Sequence, residues 1–421
     1  MVPDNTAHRV RGGRRWSARR WERTGATRRW QTLAVGLRSE VSLATVVREW
    51  GRIGCIGFGG PPTHIALLRR LCVDERHWMS AAEFEDGVAG ANLLPGPSST
   101  QLAILCAWRL RGAAGAVLGG LCFIVPGLAA ILCLSAVFLA PHPARWILGA
   151  ASGAGGAVPA VALKAASGLV PASRARAGTM RSQHLRWALY VALGGVAATT
   201  VGPYLVLVLV LCGLAEVLIR SNRGPGHRGP AMAILPVMAG HVAVLGGLGA
   251  LAWVAFKVGA LSYGGGFVIV PLMQHDAVTT FHWMTGGQFL NAVALGQVTP
   301  GPVVQTVAVV GYAAAGIGGG LLAAFVAFAP SFLFVVFGGR RFDQLRGDVR
   351  VQSFLSGAGP AAIGAIAGSA VSLGLTFGHL WQIPVLGGAL LWLFAARRGV
   401  VSALLVAGFV GVALALVGVP V

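Results

Sequence analysis

Long apolar stretches separated by short clusters of arginine dominate the pattern along this chain. Residues 113–138 and 204–219 are two such stretches, and others recur as far as the C-terminus. A helix of about 20 apolar residues crosses the roughly 30 Å hydrocarbon core of a bilayer, so each stretch predicts a membrane-embedded helix. A hydropathy count of about 13 segments predicts an all-α polytopic membrane protein.

Glycine- and proline-rich interruptions break the apolar pattern four times. Residues 43–73 and 82–110 each begin and end beside arginines, which the positive-inside rule keeps on the cytoplasmic side. Each segment is therefore predicted to enter and leave the membrane on one side, as a re-entrant helical hairpin, and the second half repeats the arrangement. Glycine and proline end helices at the hairpin tips. The four predicted tips are residues 57–62, 95–97, 264–266 and 300–302.

Two copies of one sequence pattern make up most of the chain. Shifted by 205 positions, Trp78 falls on Trp283, and the Pro-Gly-Pro triplet at 95–97 falls on the triplet at 300–302. Such a period indicates an internal duplication. A one-residue slip extends the match over most of residues 41–421.

The arginine clusters of the two copies do not coincide. The stretch near residues 274–282, which corresponds to the region of Arg69 and Arg76, contains no arginine, whereas Arg340 and Arg341 stand where the first copy has a single arginine. Loops that are cytoplasmic in one copy are then external in the other, which is typical of an inverted-topology repeat. The predicted fold has about nine full crossings plus four re-entrant hairpins, with a cytoplasmic N-terminus and an external C-terminus.

Composition excludes a soluble globular domain, because 55% of the 421 residues are hydrophobic and only 11% are charged. The net charge of +20 includes ten arginines before residue 40. We interpret this region as a tail near anionic lipid headgroups, with a nucleic-acid arm as the alternative. The predicted segments are a basic cytoplasmic tail (1–40), the first repeat (41–220), a basic loop with a linker crossing (221–247) and the inverted second repeat (248–421).

The helix breaks are the predicted location of the chemistry. Irregular backbone at membrane depth is tolerated only where it is buried in protein or lines a watery cavity, so the breaks should converge near the midplane. After the first triplet a helix can begin at Ser98, and Ser99, Thr100 and Gln101 add donors, while the second copy offers Gln305. Helix N-termini favour anions, which predicts an oxyanion site. The alternative is that each triplet only kinks a transmembrane helix.

Other polar residues flank these breaks. Asn92 and Gln297 stand at matching positions before the triplets, where they either bind the anion or form hydrogen bonds between helices. Arg52 and Lys257 also match each other, and each either reaches the anion or extends to the interface. His64 follows the first tip and is a candidate for binding or titration, although its counterpart is an isoleucine.

Motifs for catalysis or metal binding are missing from the sequence. It has no nucleophile elbow, Walker loop or H-E-x-x-H motif, and its six cysteines form no C-x-x-C pair. We therefore expect a protein that is not an enzyme and that uses no cofactor.

The motifs at the breaks resemble those of the chromate ion transporter family. Residues 58–64 (FGGPPTH) and 92–97 (NLLPGP) are similar to its N-terminal domain, and residues 263–266 (YGGG) and 297–303 (QVTPGPV) to its C-terminal domain. The resemblance covers nearly the whole chain, as in the long two-domain members.

This resemblance implies a secondary transporter of the bacterial inner membrane that exports chromate and confers chromate resistance. Sulfate is a further candidate partner because its charge and shape are the same. The alternatives are a transporter of sulfate or another oxyanion, and a gated anion channel. Besides the lipid bilayer, a homodimer is kept as a hypothesis, and no nucleic acid is expected. The predicted substrate-binding residues are Arg52, Gly59, Gly60, His64, Asn92, Pro95, Gly96, Pro97, Ser98, Ser99, Thr100, Gln101, Lys257, Gly264, Gly265, Gln297, Pro300, Gly301, Pro302 and Gln305.

Overall fold

The computed structural model describes six stretches of the chain, all within one compact unit that begins at Val41. The predicted basic tail and nearly all of the predicted linker crossing lie outside the described residues, as do the predicted site residues Pro95, Gly264 and Gly265. The described stretches are residues 41–92, 96–200, 204–221, 247–262, 266–338 and 348–421.

Seven α-helices form in the described part of the first repeat. The second helix continues as a π-helical turn over Arg70–Glu75. Apolar composition explains the long helices, and glycine or proline separates the short ones. The helices are α1 (Leu43–Ile56), α2 (Pro61–Arg69), α3 (Ala81–Ala91), α4 (Ser98–Phe138), α5 (Arg145–Ala177), α6 (Arg181–Thr200) and α7 (Leu205–Ser221).

The described part of the second repeat follows the same order. A 3-10 turn over Phe267–Ile269 and a π-helical turn over His275–Thr280 flank α9, a 3-10 turn over Val303–Gln305 precedes α11, and a π-helical turn over Leu391–Ala395 follows α13. The helices are α8 (Leu248–Leu261), α9 (Val270–Gln274), α10 (Gly286–Val298), α11 (Thr306–Gly338), α12 (Val349–Gly374), α13 (Gln382–Leu390) and α14 (Val400–Leu416).

The described residues form helices and turns and no strand. By length and composition, four helical segments among them can cross a membrane, and α8, α14 and α13 with its π turn are shorter apolar helices. This result confirms the prediction of an all-α polytopic membrane protein. The four long segments are Ser98–Phe138, Arg145–Ala177, Val303–Gly338 and Val349–Gly374.

Local structure matches at matching positions of the two copies. The π-helical turns start at Arg70 and His275, which are 205 residues apart. His77 and His282 follow them with the same left-handed backbone, at φ 51° and 54°. Each histidine precedes a helix whose N-cap side chain and third residue form a reciprocal capping box. The boxes are formed by Ser80 with Glu83 and by Thr285 with Gln288.

Two long helices are kinked at matching glycines. Helix α4 is interrupted at Arg111 and Gly112, and α11 at Ala315 and Gly316. The glycines have φ of 60° and 63°, a region that side chains disfavour. The first kink lies between the predicted hairpin at residues 82–110 and the apolar stretch at residues 113–138.

Helices of each repeat pack against helices of the other. Helix α5 contacts α13 and α14, whereas α12 contacts α6 and α7, and α4 crosses α11. Within the repeats, α1 packs on α4 and α8 on α11. A Cβ built on Gly54 would lie 2.8 Å from the Phe123 carbonyl oxygen, and one on Gly259 would collide with the Ala327 carbonyl. Small residues therefore let the helices before the first and third breaks approach their neighbours closely.

Candidate functional site

The four helix breaks meet in pairs, and each pair joins the two repeats. The Gly301 amide donates to the Gly57 carbonyl oxygen (2.9 Å), and the Gly96 amide donates to the Ser262 carbonyl oxygen (2.7 Å). Gly57 and Ser262 are 205 residues apart, as are Gly96 and Gly301, so the two bonds are equivalent. We call the contact of Gly57 with Gly301 crossing one and the contact of Gly96 with Ser262 crossing two.

Glycine is required at the centre of each Pro-Gly-Pro triplet. Gly96 and Gly301 have φ of 125° and 107°. A Cβ on Gly96 would collide with the Gln101 amide and lie 3.2 Å from the Ser331 hydroxyl. A Cβ on Gly301 would lie 3.0 Å from Gln305 Oε1. Each triplet is therefore covered by a glutamine from the helical turn that follows it.

Buried helix N-termini follow both triplets. Helix α4 starts at Ser98 directly after Pro97, and a 3-10 turn starts at Val303 directly after Pro302. The first amides of a helix lack partners in the preceding turn and carry partial positive charge. In α4 these amides accompany four fully or nearly fully buried side chains. These side chains are Ser98, Ser99, Thr100 and Gln101.

His64 is fully buried at crossing one, where both of its ring nitrogens form hydrogen bonds. Its Nε2 lies 2.9 Å from the Gly57 carbonyl oxygen, and its Nδ1 lies 3.2 Å from the Ser99 hydroxyl oxygen. Because a carbonyl only accepts, Nε2 carries the proton, and in the neutral ring Nδ1 accepts from Ser99. The edge of the ring packs on Phe123 at 5.0 Å between centroids. His64 therefore links the first two breaks of the first repeat.

Glycines bring the first break against the second repeat. Gly59 and Gly60 have φ of 98° and 75°, and a Cβ on Gly60 would lie 3.8 Å from Val303 Cγ2. On the other side, the Gln305 amide nitrogen donates to the Ile124 carbonyl oxygen (2.8 Å). Residues at the breaks of one repeat are thus in contact with residues of the other repeat.

Buried polar atoms without a hydrogen-bond partner concentrate at these breaks. In the described part of the chain they include the hydroxyls of Thr100, Ser262 and Ser331, Gln305 Oε1 and Gln297 Nε2. Most buried polar atoms in proteins are paired, so an unpaired group needs a specific explanation. Ligand binding is one such explanation. An anion would satisfy the three hydroxyls and Gln297 Nε2, which are donors, whereas Gln305 Oε1 is an acceptor and would need a donor.

The predicted basic residues occupy different surroundings. Lys257 donates to Asp276 at 2.6 Å, and both side chains are largely buried. Arg52 is exposed on α1. Likewise Asn92 is exposed, whereas its counterpart Gln297 is buried. The structure therefore brings Gln297 to the breaks, gives Lys257 a carboxylate partner, and leaves Arg52 and Asn92 at the surface.

Ser262, Ser331 and Asp276 were missed by reasoning from the sequence. Ser262 directly precedes the third break, and Ser331 follows Pro330 inside a long apolar helix. A hydroxyl in such a segment is a weak signal, because serine commonly bonds to the backbone of its own helix. Among the described residues, no group of three His, Cys, Asp or Glu side chains is placed to hold a metal ion.

Comparison with known proteins identifies relatives of the chain. A family model described as chromate transporter matches residues 44–217 and again residues 249–414. The chain is 32% identical over 341 residues to the chromate transport protein of Cupriavidus metallidurans, covering 79% of this chain and 82% of that protein. It is 29% identical over 391 residues to the chromate transport protein of Pseudomonas aeruginosa, covering 86% and 89% respectively. No solved structure matches the chain.

Proposed function

This chain belongs to the chromate transporter family, and from that premise we propose that it exports chromate from the bacterial cytoplasm as a secondary transporter. Two relatives are named chromate transport proteins, and the alignment with this chain covers more than four fifths of each of them. Chromate is therefore the substrate that we propose for this chain. The family is one of transporters, so the proposal assigns the protein no catalytic reaction.

The observation that carries the proposal is the pair of crossings between the repeats. Each crossing places a Pro-Gly-Pro triplet and the helical turn after it against a break in the other repeat. Amide groups at a buried helix N-terminus are a common binding site for oxyanions. Discontinuous helices that meet between two repeats are how many secondary transporters hold their substrate.

Neutral donors are the proposed ligands of the anion. Lys257 is already neutralised by Asp276, and Arg52 is exposed. The remaining donors are backbone amides, serine and threonine hydroxyls, and the side chains of Gln101, Gln297 and Gln305. A site without a fixed cation binds a dianion more weakly than one with an arginine, and it also releases the ion more readily, which transport requires.

Alternating access is the proposed transport mechanism, with the second repeat inverted relative to the first. Helix α10 packs against α5 and α14, whereas its counterpart α3 packs mainly against α4. In an inverted repeat, exchange of such unequal arrangements between the two copies would close one side and open the other. The unequal packing supports this mechanism.

Export is the proposed direction. The arginines of the first repeat favour a cytoplasmic location for the loops around α2 and α3, which gives a cytoplasmic N-terminus and an external C-terminus. Moving one charge through 100 mV changes the free energy by about 2.3 kcal/mol, so expelling a dianion from a negative interior gains roughly twice that. Import against this potential would require a coupled ion.

Chromate uptake into inside-out vesicles, measured with an imposed potential and with sulfate as competitor, tests this function. We expect saturable uptake by the wild type. Gly96→Ala and Gly301→Ala should each reduce uptake at least about tenfold, because the added Cβ meets the glutamine that covers each triplet. Gly112→Ala and Gly316→Ala are matched controls, since both glycines have positive φ but open space around the new Cβ.

Each outcome of this experiment has a distinct meaning. Transport lost only in the triplet variants, at equal membrane abundance, supports the crossings as the substrate pathway. Sulfate uptake without chromate uptake would assign the site to another oxyanion, and flux that does not saturate would indicate a channel. Normal chromate uptake by the triplet variants would keep the function and refute the site.

A further inference from the structure

The two crossings are equivalent in backbone but not in side chains. Gln101 and Gln305 are matching residues of the two copies. The residue directly before each of them is Thr100 in the first copy and Val304 in the second. Ser262 corresponds to Gly57, and Ser331 corresponds to Gly127, under the offsets that align the surrounding segments. Crossing two therefore has three hydroxyls where crossing one has a valine and two glycines. The three hydroxyl residues are Thr100, Ser262 and Ser331.

Thr100 and Ser331 lie in helices but do not follow the usual behaviour of buried helical serine and threonine, and Ser262 directly follows α8. Such residues commonly donate to a carbonyl three or four positions earlier. Ser135 and Ser369 do so, donating at 2.7 Å to Ile131 and Ile366 respectively. The hydroxyls of Thr100, Ser262 and Ser331 are fully buried and have no hydrogen-bond partner. An unpaired buried hydroxyl is costly, which favours a role in binding.

The three residues that carry these hydroxyls lie next to Gly96 or in the helical turn that follows it. The Gly96 amide donates to Ser262 O, and a Cβ on Gly96 would lie 3.2 Å from the Ser331 hydroxyl. Thr100 is in the first turn of α4, which begins two residues after Gly96. Helices α4 and α11 and the third break each contribute one hydroxyl, so a ligand held by all three would join the two repeats.

Crossing one has no room for an equivalent ligand. Gly127, which replaces Ser331 there, lies so close to Pro300 that an added Cβ would collide with the Pro300 carbonyl oxygen. The Gly57 carbonyl already accepts from both Gly301 and His64. The Gly301 amide and the His64 ring are therefore already bonded to protein. The unpaired Gln305 Oε1 at this crossing is an acceptor and offers no hydrogen to an anion.

We infer that the transported oxyanion binds at crossing two alone, with the hydroxyls of Thr100, Ser262 and Ser331 donating to its oxygens. This inference rests on the proposed function and specifies the subsite within it. Three hydroxyls from three segments suit the oxygens of a tetrahedral dianion. Buried carboxylates, which would repel such an anion, are engaged elsewhere in the described residues. Glu49, Glu216 and Asp276 are each paired with arginine or lysine.

The test measures how chromate uptake into inside-out vesicles depends on concentration in Thr100→Val, Ser262→Ala and Ser331→Ala. Because hydrogen bonds to charged groups are stronger than neutral ones, each variant should raise the KM for chromate about tenfold or more. Thr100→Val introduces the residue type that crossing one has at this position. Ser369→Ala is the matched control, since it removes a buried hydroxyl that is bonded within its own helix.

Thermal stability in detergent separates binding from structure. Loss of an unpaired hydroxyl removes a desolvation cost, so the three variants should unfold at or above the temperature of the wild type. A raised KM with unchanged stability supports the subsite. A KM no higher than that of Ser369→Ala, or a loss of stability that accounts for the lost uptake, would overturn it. If the wild type itself takes up no chromate, the proposed function fails, and this inference fails with it.

Discussion

Helices α3 and α10 occupy matching positions in the two repeats, yet their burial differs. Both begin at a capping box and both precede a Pro-Gly-Pro triplet. Val293 on α10 is fully buried, whereas Val88 on α3 is half-buried. Leu290 is buried, whereas its counterpart Glu85 is exposed and pairs with Arg69.

This comparison shows that the repeats share local structure but not packing. Helix α10 contacts α5 and α14, whereas α3 contacts mainly α4. Polar residues such as Glu85 are compatible with the exposed face of α3, and they would be costly in the interior that α10 occupies. The duplicated backbone has therefore been kept while the outer faces of the two helices have diverged.

The largest expected effect comes from placing a charge on each helix. Val293→Asp should destabilise the protein by at least about 3 kcal/mol, because it buries an unpaired carboxylate. Val88→Asp, at the matching position, should cost about 1 kcal/mol, since its carboxylate can reach water. Membrane abundance and thermal unfolding in detergent measure both. Equal losses would show that the two helices are equally buried, and the comparison would fail.

The ion pairs of the two repeats should also respond unequally, with a loss comparable to that of Val293→Asp in the second repeat and a small one in the first. Asp276→Asn leaves Lys257 largely buried without its carboxylate and should cost about 3–5 kcal/mol. Glu49 pairs with Arg48 and Arg76, whose side chains are 72% and 46% exposed, so Glu49→Gln should cost about 1 kcal/mol.

Chemical denaturation of the two ion-pair variants, followed by tryptophan fluorescence, measures this difference. Lys257→Met combined with Asp276→Asn is the control, because removing both charges should restore much of the lost stability. A larger loss of unfolding free energy in Glu49→Gln than in Asp276→Asn would contradict the interpretation that Lys257–Asp276 is the more buried pair.

The smallest effect is expected at the helix caps, where the repeats agree. Ser80→Ala and Thr285→Ala each remove an N-cap side chain that accepts from the third residue of its helix, at 3.2 Å in both cases. Each variant should lose about 1 kcal/mol. Closely similar shifts in the unfolding temperature would show that the two caps are equivalent, and a clear difference would show that packing also alters the local structure.

Much of the fold was predictable from local sequence. Glycine and proline ended the helices around Gly57–Pro61 and at both triplets, because these residues affect the backbone conformation locally. The capping boxes are visible as Ser-x-x-Glu and Thr-x-x-Gln. The predictions of inverted topology, of the hairpins and of the termini concern the membrane, and they remain predictions.

The candidate site was predictable only in part. The triplets, Gln101 and Gln305 were identified because they recur in both copies. Ser262 and Ser331 were missed because each stands in one copy alone, and repetition was the signal used. Arg52 was included because it matched Lys257, although the structure leaves it exposed.

A duplicated helical membrane protein follows from the amino-acid sequence alone, because hydropathy, helix breakers and caps act over a few residues. Tertiary packing decided that the Gly96 amide donates to the Ser262 carbonyl and that the Gly301 amide donates to the Gly57 carbonyl. It also decided that Lys257 faces Asp276. These contacts join segments far apart in the chain, and long-range packing selects them among many alternatives with the same local pattern.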